Sequence, residues 1–228
     1  IAAYFLFPIN GAIHLGIDLQ GGTHVVLEAQ PTEQNKVTND SMQRVVSVIN
    51  RRVNQMGLTE PVIQRQGDRR IIVELPGVEN PNQAIKTIGK TAQLKFKDPD
   101  GEVVMTGGHL TDAQATYGTQ FNQPVIQFKL DDIGEKKFAK LTKEHVGERI
   151  AIYLDQELLT NPQVQDPITG GEGIITGYQT LEEAQKDALL LRAGALPMPV
   201  KVIENRTIGP ILGERSIDKS ITAGLIGL

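Results

Sequence analysis

The feature that most constrains this chain is a succession of changes in hydrophobic period between residues 23 and 98, each closing one element and opening the next. Residues 23–29 are β-rich, and residues 31–39 form a polar connector. Met42, Val45, Val46, Ile49, Val53 and Met56 then recur at three- and four-residue steps, with Arg44, Ser47, Arg51 and Gln55 opposite. That pattern predicts an amphipathic helix entered at Asn39 or Asp40 and stopped by Gly57. Residues 61–66 and 70–75 flank Gly67-Asp68, and Ile71, Val73 and Leu75 share a face, which predicts a hairpin. Asn80-Pro81 opens a short helix carrying Ala84, Ile85 and Ile88, and residues 93–97 close the set as a strand before the turn Pro99-Asp100-Gly101. The order is βαββαβ, the split arrangement called ferredoxin-like.

A second α+β unit of similar order follows. Residues 125–130 alternate, Asp131 or Asp132 caps a helix with Phe138 and Leu141 inward, and residues 149–154 make a strand with Ile150 and Ile152 on one face. A further strand or loop comes next, and residues 173–177 read as a glycine-rich turn. Thr180 to Glu183 is a capping box opening a helix with Leu181, Ala184, Ala188 and Leu191 inward, and residues 199–204 make a last strand. At roughly 100–150 residues per domain, 228 residues hold two small units. The expected fold is therefore α+β, a ferredoxin-like base with an inserted or serial second unit.

Chemistry is hard to find. A net charge of -4 with scattered Lys and Arg gives no footprint for nucleic acid. The absence of Cys excludes disulfides, Cys-based zinc sites and thiol chemistry. Gly89-Lys90-Thr91 ends like a phosphate-binding loop, but the earlier glycine that loop requires is missing, and the segment leaves a helix for a strand. The glycines at 171, 173 and 177 miss the dinucleotide-binding spacing by one residue. Gly21-Gly22 has neither a lysine nor a following helix to hold an anion, so it reads as a positive-φ entry into a strand. His14, His24, His109 and His145 come from separate segments without metal-ligand spacing. Asp98 to Gly101 starts like a calcium loop but lacks the remaining ligands, and the acidic pairs at 131–132 and 182–183 sit at helix starts, where the macrodipole accounts for them. No serine has a nucleophile-elbow context. These residues predict a non-enzyme without metal or cofactor.

Two uncharged apolar stretches, IAAYFLFP and ITAGLIGL, bracket this polar body. Each is shorter than the roughly 20 apolar residues that span a bilayer, and the first lacks the basic start and small-residue cleavage site of a signal peptide. They are compatible with termini that pack on the core and with a loop domain cut from between two membrane helices.

GIDLQGG at residues 16–22, containing Gly16, Asp18, Gly21 and Gly22, resembles the start of the first extracytoplasmic domain of the SecD family, accessory subunits of bacterial protein translocase. LLLRAGALPMPVKVIENRTIGPILGERSI at residues 189–217, containing Arg192, Gly194, Pro197, Gly209 and Gly213, resembles the segment leading into that family's second membrane helix. Ser220 departs from the family pattern, where glycine is more usual. The resemblance implies that residues 1–8 end one membrane helix and residues 216–228 begin another. It implies a base at 12–99 and 180–212 and a mobile head at 104–178. It further implies an inner-membrane protein of bacteria, with this domain on the periplasmic or extracellular side. Such a protein works with SecF beside the SecYEG channel and uses the proton-motive force to draw out unfolded preprotein. The proton relay would need ionisable groups inside membrane helices.

On that reading the candidate hinge glycines are Gly101, Gly107, Gly108, Gly170, Gly171 and Gly173. Candidate client contacts are Tyr117, Phe121 and a sheet edge or apolar groove at 125–130, with Ile126 and Phe128. Asp18 is expected to anchor Gly21-Gly22, and Arg192 to pair with Asp18 or Glu204. The same superfamily offers an alternative, the porter domain of a proton-driven efflux transporter, but that needs a deep aromatic pocket and the aromatic content is 4 % without Trp. An acyl-phosphate-cleaving enzyme on the same scaffold would need an arginine and asparagine phosphate cradle, which the sequence does not supply.

Overall fold

The computed structural model describes residues 21–33, 35–58, 60–118 and 122–208. The expected membrane-helix ends at 1–8 and 216–228, together with Gly16, Asp18, Phe121, Gly209, Gly213 and Ser220, lie outside the described residues.

The first unit is a four-stranded antiparallel sheet with two helices on one face. β1 (Gly22–Ala29) leads through the connector to α1 (Asn39–Gln55), and β2 (Val62–Gln66) and β3 (Arg70–Pro76) form the expected hairpin before α2 (Pro81–Gly89). Thr38, one residue ahead of the expected entry, caps α1 and forms a reciprocal capping box with Ser41. Met42, Val45, Val48, Ile49 and Val53 of α1 and Ala84, Ile85 and Ile88 of α2 pack on Val25, Leu27, Ala29, Ile71, Val73 and Leu75. Burying each of the larger side chains stabilises the fold by about 1.5–3 kcal/mol before entropy is counted.

The last strand of this sheet is a correction to the expected order. Residues 93–97 do not close it. Its fourth strand is β11 (Val200–Ile208), which pairs with β1 from Gly22↔Ile208 to Ala29↔Val200, so the sheet runs β11-β1-β3-β2. The reason is local to residues 90–93. Ala92 takes a positive φ of 58°, and the Asp155 carboxylate accepts the N–H groups of Ala92 and Gln93 at 3.0 and 2.8 Å. That capture turns the chain out of the first sheet and fastens the following strand to a different one.

The second unit is inserted between α2 and β11. β4 (Leu94–Lys97), β5 (Val103–Thr106), β8 (Ala151–Leu154) and β9 (Glu157–Thr160) make a sheet in the order β5-β4-β8-β9. β6 (Leu110–Tyr117), β7 (Pro124–Leu130) and β10 (Glu172–Ile175) make another, β10-β7-β6. Two antiparallel sheets with α3 (Asp132–Glu144) and α4 (Leu181–Ala193) replace the expected repeat of the first order. β10 stands where a glycine-rich turn was expected, and β5 and β6 are additions to it. Asp131 caps α3 by accepting from the Gly134 N–H at 2.7 Å, and Thr180 and Glu183 form the expected capping box on α4.

Phe96, Phe128 and Phe138 meet edge to face at centroid distances of 5.8–6.0 Å in the second core. Ala184, Ala188, Leu190 and Leu191 of α4 are buried there as well. Expected to return to the base, residues 180–205 therefore divide. The strand joins the first sheet, whereas the helix packs on β6 and β7 and also meets α1.

Candidate functional site

Gly21 and Gly22 have φ of 71° and 147°, and a Cβ on Gly22 would stand 2.4 Å from the Leu75 carbonyl oxygen. The Gly21 carbonyl accepts from the Gly77 N–H at 3.1 Å. This glycine pair lets β1 approach the end of β3, which side chains would prevent.

Where the two units join, α1 supplies two adjacent arginines. Arg52 is fully buried. Its guanidinium donates to the carbonyls of Thr87, Ile88, Lys90, Thr91 and Gly194, so it closes the C-terminal ends of both α2 and α4. A cation is the right charge for two helix C-termini. Burial lowers its pKa to about 10, with Asp155 opposing that shift and Arg51 adding to it. Its Nε is buried without a hydrogen-bond partner among the described residues. Arg51 donates through Nε to the Ala193 carbonyl at 2.8 Å. The Leu196 N–H donates to the Thr91 carbonyl at 2.9 Å, so the outgoing and returning chains are bonded to each other at this joint. Beside them Lys90 reaches Asp187 at 3.4 Å, and Asp187 also accepts from the Tyr178 hydroxyl at 3.4 Å. Burial raises the pKa of Asp187 against the pull of Lys90, and burial together with Asp187 raises that of Tyr178.

A groove of about 470 Å³ opens on the second unit between β10, β8 and the loop at 162–168. Phe96, Phe128, Phe138, Ile150 and Ile152 lie along it, and Ile168 and Ile174 stand exposed at its sides. Gly173 makes room for its floor. It is paired with Phe128 across the ladder, and a Cβ there would lie 2.3 Å from the Phe128 ring. β10 is the edge strand of its sheet, so one side of its backbone is unpaired within that sheet.

Several expected placements change accordingly. Residues 124–130 lie in the centre of a sheet, paired on both sides, and Ile126 and Phe128 are buried, so they offer no free edge. Tyr117 is 51 % exposed at the end of β6. Gly101, with φ of 85°, turns β4 into β5, and Gly107 and Gly108 lie in a short 3-10 turn before β6. Gly170 and Gly171 precede β10, and Gly173 is inside it. All six expected hinge glycines therefore sit within the second unit, whereas the chain crosses between units at residues 90–94 and 194–198. Gly194, with φ of 90°, ends α4 at one crossing, and the Pro197 carbonyl accepts from Asn35 at 2.8 Å. Among the described residues Glu204 pairs with Arg206 rather than with Arg192. Arg52 is named on neither face of the helix by the sequence reading. Its phase, three and four residues beyond Ile49 and Val48, was the available signal.

Family models place the chain among known proteins. One for the SecDF P1 head subdomain matches residues 84–198, one for the N-terminal part of the P1 domain of protein translocase subunit SecDF matches residues 42–101, and one for the SecD/SecF GG motif matches residues 12–33. The head match begins earlier than residue 104 and includes α4, in agreement with where that helix packs. Protein translocase subunit SecD of Acidaminococcus fermentans is 52 % identical over 226 residues, covering 99 % of this chain and 54 % of that protein. A crystal structure of SecDF in a super-membrane-facing form superposes with a TM-score of 0.80 at 36 % identity, covering 96 % of this chain and 35 % of that one. A structure of SecDF, described as a membrane component that enhances protein export, gives a TM-score of 0.73 at 34 % identity over 80 % of this chain and 99 % of that one. The chain spans about half the length of the SecD relatives it matches. Both units and the glycine pair at the entry are thus accounted for together, and the chain belongs to the SecD family of protein translocase subunits.

Proposed function

We propose that this chain is the extracytoplasmic P1 domain of a SecD subunit and that its inserted unit holds emerging, unfolded preprotein in the groove beside β10. In this reading the first sheet, with its ferredoxin-like strand order, is a base fixed near the membrane, and residues 92–193 are the head. The subunit acts with SecF at the SecYEG channel, and the proton-motive force drives it through membrane helices beyond the described residues. No helix among the described residues is long and apolar enough to cross a membrane.

The observation that carries the reading is the combination of an edge strand and an apolar groove on one surface. An extended polypeptide offers unpaired backbone groups and alternating side chains, and an edge with a groove answers both. Ile174 is 52 % exposed on that edge. The groove is open along its side, which suits a chain passing through better than a small molecule enclosed by aromatic walls.

The test is crosslinking in cells from single cysteines at Ile174 and Ile168 of the intact protein during export of a stalled preprotein, with Gln43 on the exposed face of α1 as control. Crosslinks from both groove positions, lost in Gly173→Phe, are expected. Crosslinks from Gln43 alone, or none while export proceeds, would sink the proposal.

A further inference from the structure

We infer that the cleft at the joint between the two units is a second contact for polypeptide, one that takes a carboxylate side chain. The cleft measures about 420 Å³. Its charged lining residues are Arg51 and Arg192, and no acidic residue lines it. Gln93 and Thr106 add polar groups, while Leu94, Leu110 and Leu191 add apolar wall, a mixture that suits the methylenes and the head of a glutamate.

Arg51 is already oriented for such a ligand. Its Nε is held by the Ala193 carbonyl, and its terminal nitrogens lie beside Gly194, where a Cβ would stand 3.5 Å from Nη2. An anchored guanidinium presents its remaining N–H groups as a fixed fork, the geometry that binds carboxylate through paired hydrogen bonds. Arg192 is exposed on the facing end of α4 and makes no ion pair with the described residues. Asp155, the acid that acts on the buried Arg52, keeps its charge but is turned to the Ala92 and Gln93 N–H groups and does not line the cleft. The buried Arg52 behind the cleft adds a third positive charge, which its carbonyl partners solvate without neutralising. An anion entering the cleft therefore meets two arginines and no carboxylate in the lining itself.

Position favours polypeptide over lipid headgroup. Gly22 and Ile208, where the described chain begins and ends its ladder, are paired at one end of β1 and β11. The cleft lies beside the chain that enters the other end at Val200.

The inference rests on the reading of this chain as a polypeptide-handling domain, and its test is separable from the groove. Fluorescence anisotropy would be measured with the 228-residue chain and a capped, dye-labelled hexapeptide alternating Leu and Glu, against the same peptide with Gln for Glu. Charge-assisted hydrogen bonds predict a preference for the Glu peptide of about tenfold or more, falling as salt is added. Arg192→Gln, an exposed change that leaves the fold's bonds in place, should remove most of it, and Arg51→Gln combined with it the remainder. Ile174→Asp in the groove should leave the preference unaltered, so loss of groove crosslinking and loss of Glu selectivity are independent outcomes. Equal binding of the two peptides, or undiminished preference in the double variant with an unchanged melting profile, would overturn the inference. So would displacement of the peptide by inorganic phosphate at lower concentration than by free glutamate peptide, because the cleft would then be a site for small anions.

Discussion

The two cores are built from different materials and closed in different ways. The first is wholly aliphatic, and its last strand arrives from across the inserted unit, with Gly22 paired to Ile208. The second centres on three phenylalanines, and its segments follow one another from Ala92 to Leu191. A core assembled from consecutive segments can close by itself, while one that waits for β11 depends on the chain in between being in place. The difference also bears on function. Branched aliphatic side chains between a sheet and two helices fill their space, whereas edge-packed rings over a glycine leave a groove along one side.

The strongest test of this asymmetry is a pair of core truncations followed by denaturant unfolding and hydrogen exchange. Phe128→Ala should cost about 3–5 kcal/mol and lower protection in both units, since α4 packs on the second core and the chain reaches β11 only through that unit. Ile49→Ala should cost about 2–5 kcal/mol and lower protection in the first unit alone. Matching losses of protection from the two variants would break the comparison. Gly173→Ala comes next, at about 1–3 kcal/mol, because a Cβ 2.3 Å from the Phe128 ring forces the aromatic cluster to move. A hinge glycine would instead tolerate alanine with little loss, so the melting temperature of this variant decides between the two roles.

What the sequence allowed to be read, and what it did not, follows the same division. The period of α1, the hairpin at Gly67-Asp68 and the capping residues Asp131 and Thr180 are local signals, and each appears where expected or one residue away. The partners of β4 and β11 are set by contacts far along the chain, the capture of Ala92 and Gln93 by Asp155 among them, and no periodicity within either strand encodes them. β6 escaped notice because its buried position is Ala113, too small to mark a face, and β10 because Gly173 in a four-residue strand looks like a turn. The alternation of Ile126 and Phe128 identifies a strand but not whether it is central or at an edge, and of the two Phe128 lies along the groove.

Two smaller effects sharpen the comparison at α4, the helix shared by both units. Thr180→Ala removes its capping box and should cost about 1 kcal/mol in thermal unfolding. Asp187 gives the smallest effect. Burial raises its pKa above the ordinary 3.8, so the folded chain holds this proton more tightly than the unfolded one. Its contribution is fully present below the unfolded value and is lost as pH rises through the folded one. Asp187→Asn should therefore flatten the decline in melting temperature over the pH range above that ordinary value, relative to the unmodified chain. A steeper decline in the variant would mean that its pairing with Lys90 outweighs burial.

The β1–β11 pairing also has a mechanical meaning. The chain from the inserted unit joins β11 at its Val200 end, the preceding chain joins β1 at its Gly22 end, and the two strands are antiparallel. A force between the inserted unit and the start of β1 therefore shears the ladder, loading its rungs together instead of unzipping them one after another. The sheet can bear tension along that line while offering little resistance to a peel that separates the strands at Gly22 and Ile208.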